Sequence, residues 1–180
     1  MPVNFVAPSG FNADKLMALL SEKFAITPIS NQYTLKTYFD TFDWRLWKNG
    51  LICEFVRTQT SSSLCLIDRK KNRLLDSINL LDAPSFAYQL NPGKFRKKLE
   101  ELIETRALLA IGTLECEVSH LDIVDVKDNM LLRLILEESV LLKQRLSILP
   151  FKGADRLIKE LQDSLVETLG FAPKKTPDLV

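Results

Sequence analysis

The chain has 180 residues, 46% of them hydrophobic and 26% charged, with a formal net charge of +1. That profile predicts one globular domain over 1–180 with a sizeable core, and it advertises neither a nucleic-acid nor a membrane partner. No uncharged run approaches spanning length, the start carries no secretory pattern, and Cys53, Cys65 and Cys116 lie scattered in apolar runs as buried thiols do, so a cytoplasmic location is expected.

In chain order, "VNFV" (3–6) reads as a short strand. "FNADKLMALLSEKF" follows as a helix, with Asn12 as N-cap and Leu16, Leu19, Leu20 and Phe24 as its apolar stripe. "QYTLKTYFD" reads as a strand, "FDWRLWKNG" as a turn with Asn49-Gly50 as its tightest point, and Leu51 to about Thr58 as the next strand. "LCLID" and "RLLDSINL" are strands on either side of the basic turn "RKKN". After a connection ending at Asn91-Pro92, "GKFRKKLEELIETRALL" is an amphipathic helix. "TLECEVSHLDIVD" and "MLLRLILEE" form a hairpin, and "VLLKQRLSIL" is a further strand. "GADRLIKELQDSLVETLG" is a helix with Gly170 as its cap, and 171–180 is an extended tail. Tight connections imply antiparallel pairing, so the expected class is α+β with a large antiparallel sheet or barrel.

Alternation divides each strand into two faces. Cys53 and Phe55 oppose Ile52, Glu54 and Val56. Leu114, Cys116 and Val118 oppose Glu115, Glu117 and Ser119. Leu132, Leu134 and Leu136 oppose Arg133 and Glu137. Leu142, Leu146 and Ile148 oppose Lys143, Arg145 and Ser147. Either the sheet has one wet side, or it closes around a polar interior with helices outside.

The stretch "YFDTFDWRLWKNGLICEFVR" (38–57) resembles the CYTH family of triphosphate tunnel metalloenzymes, whose members read YFDTxDxxLxxxGxxLRxR here. Tyr38, Phe39, Asp40, Thr41, Asp43, Leu46 and Gly50 carry the match. The regions 108–139 and 145–171 are similar to later parts of the family, in the style of the CYTH part of CYTH–CHAD proteins. The resemblance implies a closed antiparallel β-tunnel of about eight strands with helices packed outside. It also implies triphosphate substrates held by inward Arg and Lys, and Mg²⁺ or Mn²⁺ held by inward carboxylates.

The family's catalytic positions are largely replaced. An ExExK strand is expected at the N-terminus, where this chain has Asn4 at the lysine position and no glutamate before it. The arginines of "LRxR" fall on "CEFV", and those of "VRTR" on "LECE", so Glu115 and Glu117 stand in arginine positions. The acids of the closing strand fall on Arg145 and Ser147. A carboxylate in place of a phosphate-holding arginine replaces attraction by repulsion. We therefore expect a self-neutralised tunnel, with Glu54, Glu115, Glu117 and Glu137 inside alongside Lys36, Arg133, Lys143 and Arg145.

Tyr38, Asp40, Thr41, Asp43, Arg45 and Gly50 are expected to shape the turn. Glu115 and Glu117 form a minimal candidate metal pair. Trp44 and Trp47 are expected to pack at the barrel mouth or to offer a ligand platform, and Asp122, Asp125 and Asp128 to be solvated. The functional expectation is a catalytically inactive binding or scaffolding module for a phosphate-rich anion or a protein partner, with a homodimer among the expected forms. The alternative is a Mg- or Mn-dependent triphosphatase with rearranged ligands.

Overall fold

The computed structural model of the protein describes residues 3–11, 13–27, 30–125, 127, 129–151 and 154–173. Among these residues there are ten strands and four α-helices. The strands are β1 (Val3–Val6), β2 (Ala25–Ile26), β3 (Ser30–Asp40), β4 (Leu51–Arg57), β5 (Ser62–Asp68), β6 (Arg73–Asn79), β7 (Leu109–Val124), β8 (Met130–Glu138), β9 (Arg145–Pro150) and β10 (Ala172–Pro173). The helices are α1 (Ala13–Ser21), α2 (Arg45–Lys48), α3 (Lys94–Ile103) and α4 (Asp155–Glu167). The N-cap expected at Asn12 and the tail beyond Pro173 lie outside the described residues.

The strands form one antiparallel sheet in the order β10-β1-β9-β8-β7-β3-β4-β5-β6, with β2 beside β7. Among the described residues this path ends at β10 and β6, so hydrogen bonds do not close the sheet into the expected barrel. Two short strands escaped the sequence reading because two residues carry no periodicity. β2 is recognisable only from its partners Val124 and Ile123, and β10 only from Val6 and Phe5.

Two compact units are distinguishable. The first holds the described residues up to Tyr33 with Cys116–Pro173, and the second holds Thr34–Glu115. Each has its own core. In the first, Leu132, Leu134 and Leu136 of β8 and Leu146 and Ile148 of β9 pack with Leu16 and Leu20 of α1 and Leu161 and Leu165 of α4. In the second, Cys53, Phe55, Leu64 and Leu66 pack with Phe95, Leu99 and Ile103 of α3. These are the apolar rows that alternation and the helical period single out.

Element ends differ from expectation where long-range contacts override local pattern. α3 stops at Ile103, and β7 begins at Leu109, four residues before the expected Thr113. The expected strand from Val140 forms only from Arg145. Val140 and Leu141 are exposed, and Lys143 sits in the connection before β9 instead of on a strand. The close of α4 is as anticipated: Gly170 takes φ +69, and the Phe171 N–H bonds back to the Leu165 carbonyl at 3.0 Å. None of the helices among the described residues is long and apolar enough to cross a membrane.

Candidate functional site

The best-matched motif builds a tightly bonded turn in the second unit. Asp40 ends β3 and is 2% exposed. Its carboxylate accepts hydrogen bonds from the backbone N–H groups of Thr41 (2.7 Å), Leu46 (2.9 Å) and Trp47 (2.9 Å). Two of those donors belong to the first turn of α2, where N–H groups lack intrahelical partners. The Thr41 hydroxyl donates to Asp43 Oδ1 at 2.7 Å and accepts the Arg45 N–H at 3.0 Å.

Asp43 then bonds Arg45 (3.3 Å) and Arg106 (2.9 Å), and both arginines reach Glu104 at 2.7 Å. Burial pushes the Asp43 carboxyl up, but Thr41, Arg45 and the charge of Arg106 outweigh it and hold the group below the usual carboxylate range. Gly50, at φ +71, starts the return into β4. These charges are committed to closing the turn and anchoring it to the residues after α3.

Beside the turn, the polar row of β3 and β4 carries two predicted tunnel residues. Tyr38 lies opposite Glu54, and Lys36 opposite Val56. Cys65 follows across the next strand from Glu54. Burial raises the Cys65 thiol, aided by the Glu54 charge, while Ser63 and Lys36 act the other way. The acid that stands where an arginine is expected thus shares its electrostatic surroundings with a lysine, Lys36.

In the first unit the register regroups the expected set. Arg133 faces Asp122 across β7 and β8, and Nε and Nη2 donate to the two carboxylate oxygens at 2.7 and 2.8 Å. This bidentate bond holds the Asp122 carboxyl below its usual range. Asp122, expected to be solvated, is therefore the partner of Arg133. Glu137 lies opposite Arg145 on β9. On the same face Ser147 lies opposite Asn4 and donates to its side-chain oxygen at 2.8 Å. The two positions where the resemblance calls for charged residues thus close on each other as a neutral pair. His120 shares this face. Burial, with Arg133, lowers its pKa against the opposing charges of Asp122 and Glu137.

Glu117 falls elsewhere. It lies opposite Glu138, while Val118 lies opposite Glu137. Cross-strand partners share a face, so Glu117 stands with the Leu134 and Leu136 row and not with Arg133 and Glu137. Glu115, two residues earlier on β7, is exposed, as is Glu117. The sequence reading missed Glu138: one of its side-chain oxygens is buried with no hydrogen-bond partner, as is the side-chain oxygen of Gln144. Burial and the Glu117 charge raise the Glu138 carboxyl, against a hydrogen bond from Gln144. Its sequence signal, two acids ending β8, is indistinguishable from a solvated strand end.

No protein-family model matches the chain, and no curated protein does. Solved structures do. A Hippeastrum protein, named an adenylyl cyclase and described with a dominant triphosphatase activity, matches at TM-score 0.69 and 14% identity over 99% of this chain and 91% of that one. Proteins named as adenylate cyclases from Vibrio parahaemolyticus and Bacillus halodurans match at TM-score 0.59, with 9% and 15% identity. They cover 97% and 98% of this chain and 91% and 92% of theirs. The chain has the fold of these proteins. That likeness bears out the CYTH resemblance of the motif, and at these identities it speaks for the fold alone.

The metal implied by the resemblance finds a poor fit. Among the described residues no group of three His, Cys, Asp or Glu side chains is placed to hold an ion. Hard divalent cations take six or more oxygen ligands, several of them carboxylate. Two exposed glutamates on β7 do not form such a cage, and no reaction step is assigned to a metal here.

Proposed function

We propose that the chain is a single tunnel-type domain over residues 1–180 that binds without hydrolysing, the charges on its polar strand faces being neutralised within each unit. The observation that carries this reading is the bidentate Asp122–Arg133 pair. An arginine on that face would have to release a carboxylate before it could hold a phosphate, and breaking a charge-assisted bidentate bond is costly. Lys36 beside Glu54, Arg145 opposite Glu137, and the Asn4–Ser147 hydrogen bond support the same internal neutralisation. The partner is then a protein or a phosphate-rich anion held outside the polar face, with a second copy of the chain as one such protein.

A second reading is favoured by the likeness to the Hippeastrum protein: a Mg- or Mn-dependent triphosphatase with rearranged ligands. Phosphate release from tripolyphosphate, ATP or thiamine triphosphate with Mg²⁺ or Mn²⁺ separates the two. The binding reading expects no metal-dependent turnover. Turnover that tracks the protein through purification and falls in the Arg133→Ala variant would replace it with the second.

A further inference from the structure

The second unit contains a cavity of about 540 Å³ beside the motif turn. That size lies within the range of small-molecule sites. Four aromatic rings line it, Tyr38 and Phe39 from β3 and Trp44 and Trp47 from the α2 turn, together with Ile52, Ile111 and the Lys48 side chain. Trp44 and Trp47 are the only tryptophans in the sequence.

We propose that this cavity is a binding site for a planar aromatic anion of nucleotide size, with the flat ring held by Trp44, Trp47 and Tyr38 and the negative group by Lys48. Trp44 sits at φ +58, a left-handed conformation that disfavours a bulky side chain, and it remains 48% exposed. Its backbone is fixed there because Asp40 gathers the N–H groups on either side and the Trp44 N–H bonds the Thr41 carbonyl at 3.0 Å. The Trp47 ring is held from one side by Arg69, whose guanidinium carbon lies 3.6 Å from the ring centroid. These rings are preorganised surfaces, which lowers the ordering cost of a stacked ligand.

Charge selects the ligand class. Aromatic cages also suit organic cations, but Lys48 lines this cavity and Arg69 covers Trp47. The one acid in the lining, Asp40, is buried and its oxygens are taken by backbone N–H groups. A cation would meet like charge without compensation, whereas an anion gains Lys48. The cavity shares Tyr38 and Ile52 with the polar face of β3 and β4, while the rest of its lining comes from the α2 turn, the opposite strand face and Ile111.

Calorimetric titration with adenosine 5′-monophosphate, adenosine and tripolyphosphate tests the proposal. The monophosphate is expected to bind saturably and more tightly than adenosine. Trp44→Asn, which suits the left-handed backbone better than tryptophan, is expected to fold and to weaken the monophosphate at least about tenfold, the size of one lost ring stack. Lys48→Ala is expected to bring the monophosphate down to the level of adenosine, and Lys97→Ala, on the exposed side of α3, to leave it unchanged. No saturable monophosphate binding at millimolar concentration would overturn the proposal. So would binding that survives both Trp44→Asn and Lys48→Ala, or that is lost in Lys97→Ala. Binding of tripolyphosphate alone, insensitive to Trp44→Asn, would also overturn it while leaving the tunnel reading standing.

Discussion

The α2 turn of the second unit and the polar strand face of the first both carry partly buried carboxylates, but they satisfy them differently. In the turn, Asp40 is bonded to main-chain N–H groups that have no alternative partner. On the strand face, Asp122 is bonded to the side chain of Arg133, which could bond elsewhere. A carboxylate that holds backbone fixes the shape of the turn. A carboxylate that holds another side chain supplies only local neutrality.

Stability measurements would sharpen or break this contrast. Asp40→Ala should have the largest effect. It orphans the N–H groups of Thr41, Leu46 and Trp47, each worth about 1–3 kcal/mol when buried without a partner. A loss of about 3–5 kcal/mol by denaturant titration is expected. A loss under about 1 kcal/mol would show that water or a rearranged α2 replaces the carboxylate.

A smaller effect is expected at Asp122. Its folded-state pKa is depressed, chiefly by the Arg133 hydrogen bond. Its contribution is therefore fully present above the unfolded pKa and is lost as pH falls through the folded one. The native protein should lose stability as the solution is acidified through the lower carboxylate range, and Asp122→Asn should flatten that slope. Asp122→Asn and Arg133→Met made singly should each cost about 1–3 kcal/mol near neutral pH, and together less than their sum. Strict additivity would mean that the pair is not coupled.

Glu138 provides the opposite sign and the smallest change. Its folded pKa is raised, first by burial and then by Glu117. Its contribution is present below the unfolded pKa and fades as pH rises through the folded one. Glu138→Gln, which can donate to the unpartnered oxygen of Gln144, should raise stability near neutral pH by about 1 kcal/mol and remove that part of the pH dependence. Unchanged melting temperature across the carboxylate range would contradict this assignment.

Most of the elements and the motif turn were legible because their signals are local. Tyr38 to Gly50 encodes a strand end, an acid that caps backbone, and a left-handed glycine within one short segment. The α1, α3 and α4 stripes and the β8 alternation similarly name their own buried faces. The polar site was legible only in composition. Arg133, Glu137 and Arg145 do share a face with one another, but Glu117 does not join them, and Asp122 does.

The sequence by itself determined which residues of one strand lie together, because side-chain direction repeats every second residue along the backbone. Tertiary structure alone decided which row of β7 meets which row of β8. A one-residue change in register exchanges the faces, and because the buried row of β7 changes phase between Val118 and Ser119, alternation alone does not say which row Glu117 joins. It also decided that Trp44, Trp47 and Tyr38 surround a cavity, because an α2 turn held at Asp40 and a strand beside it meet only after the chain has folded.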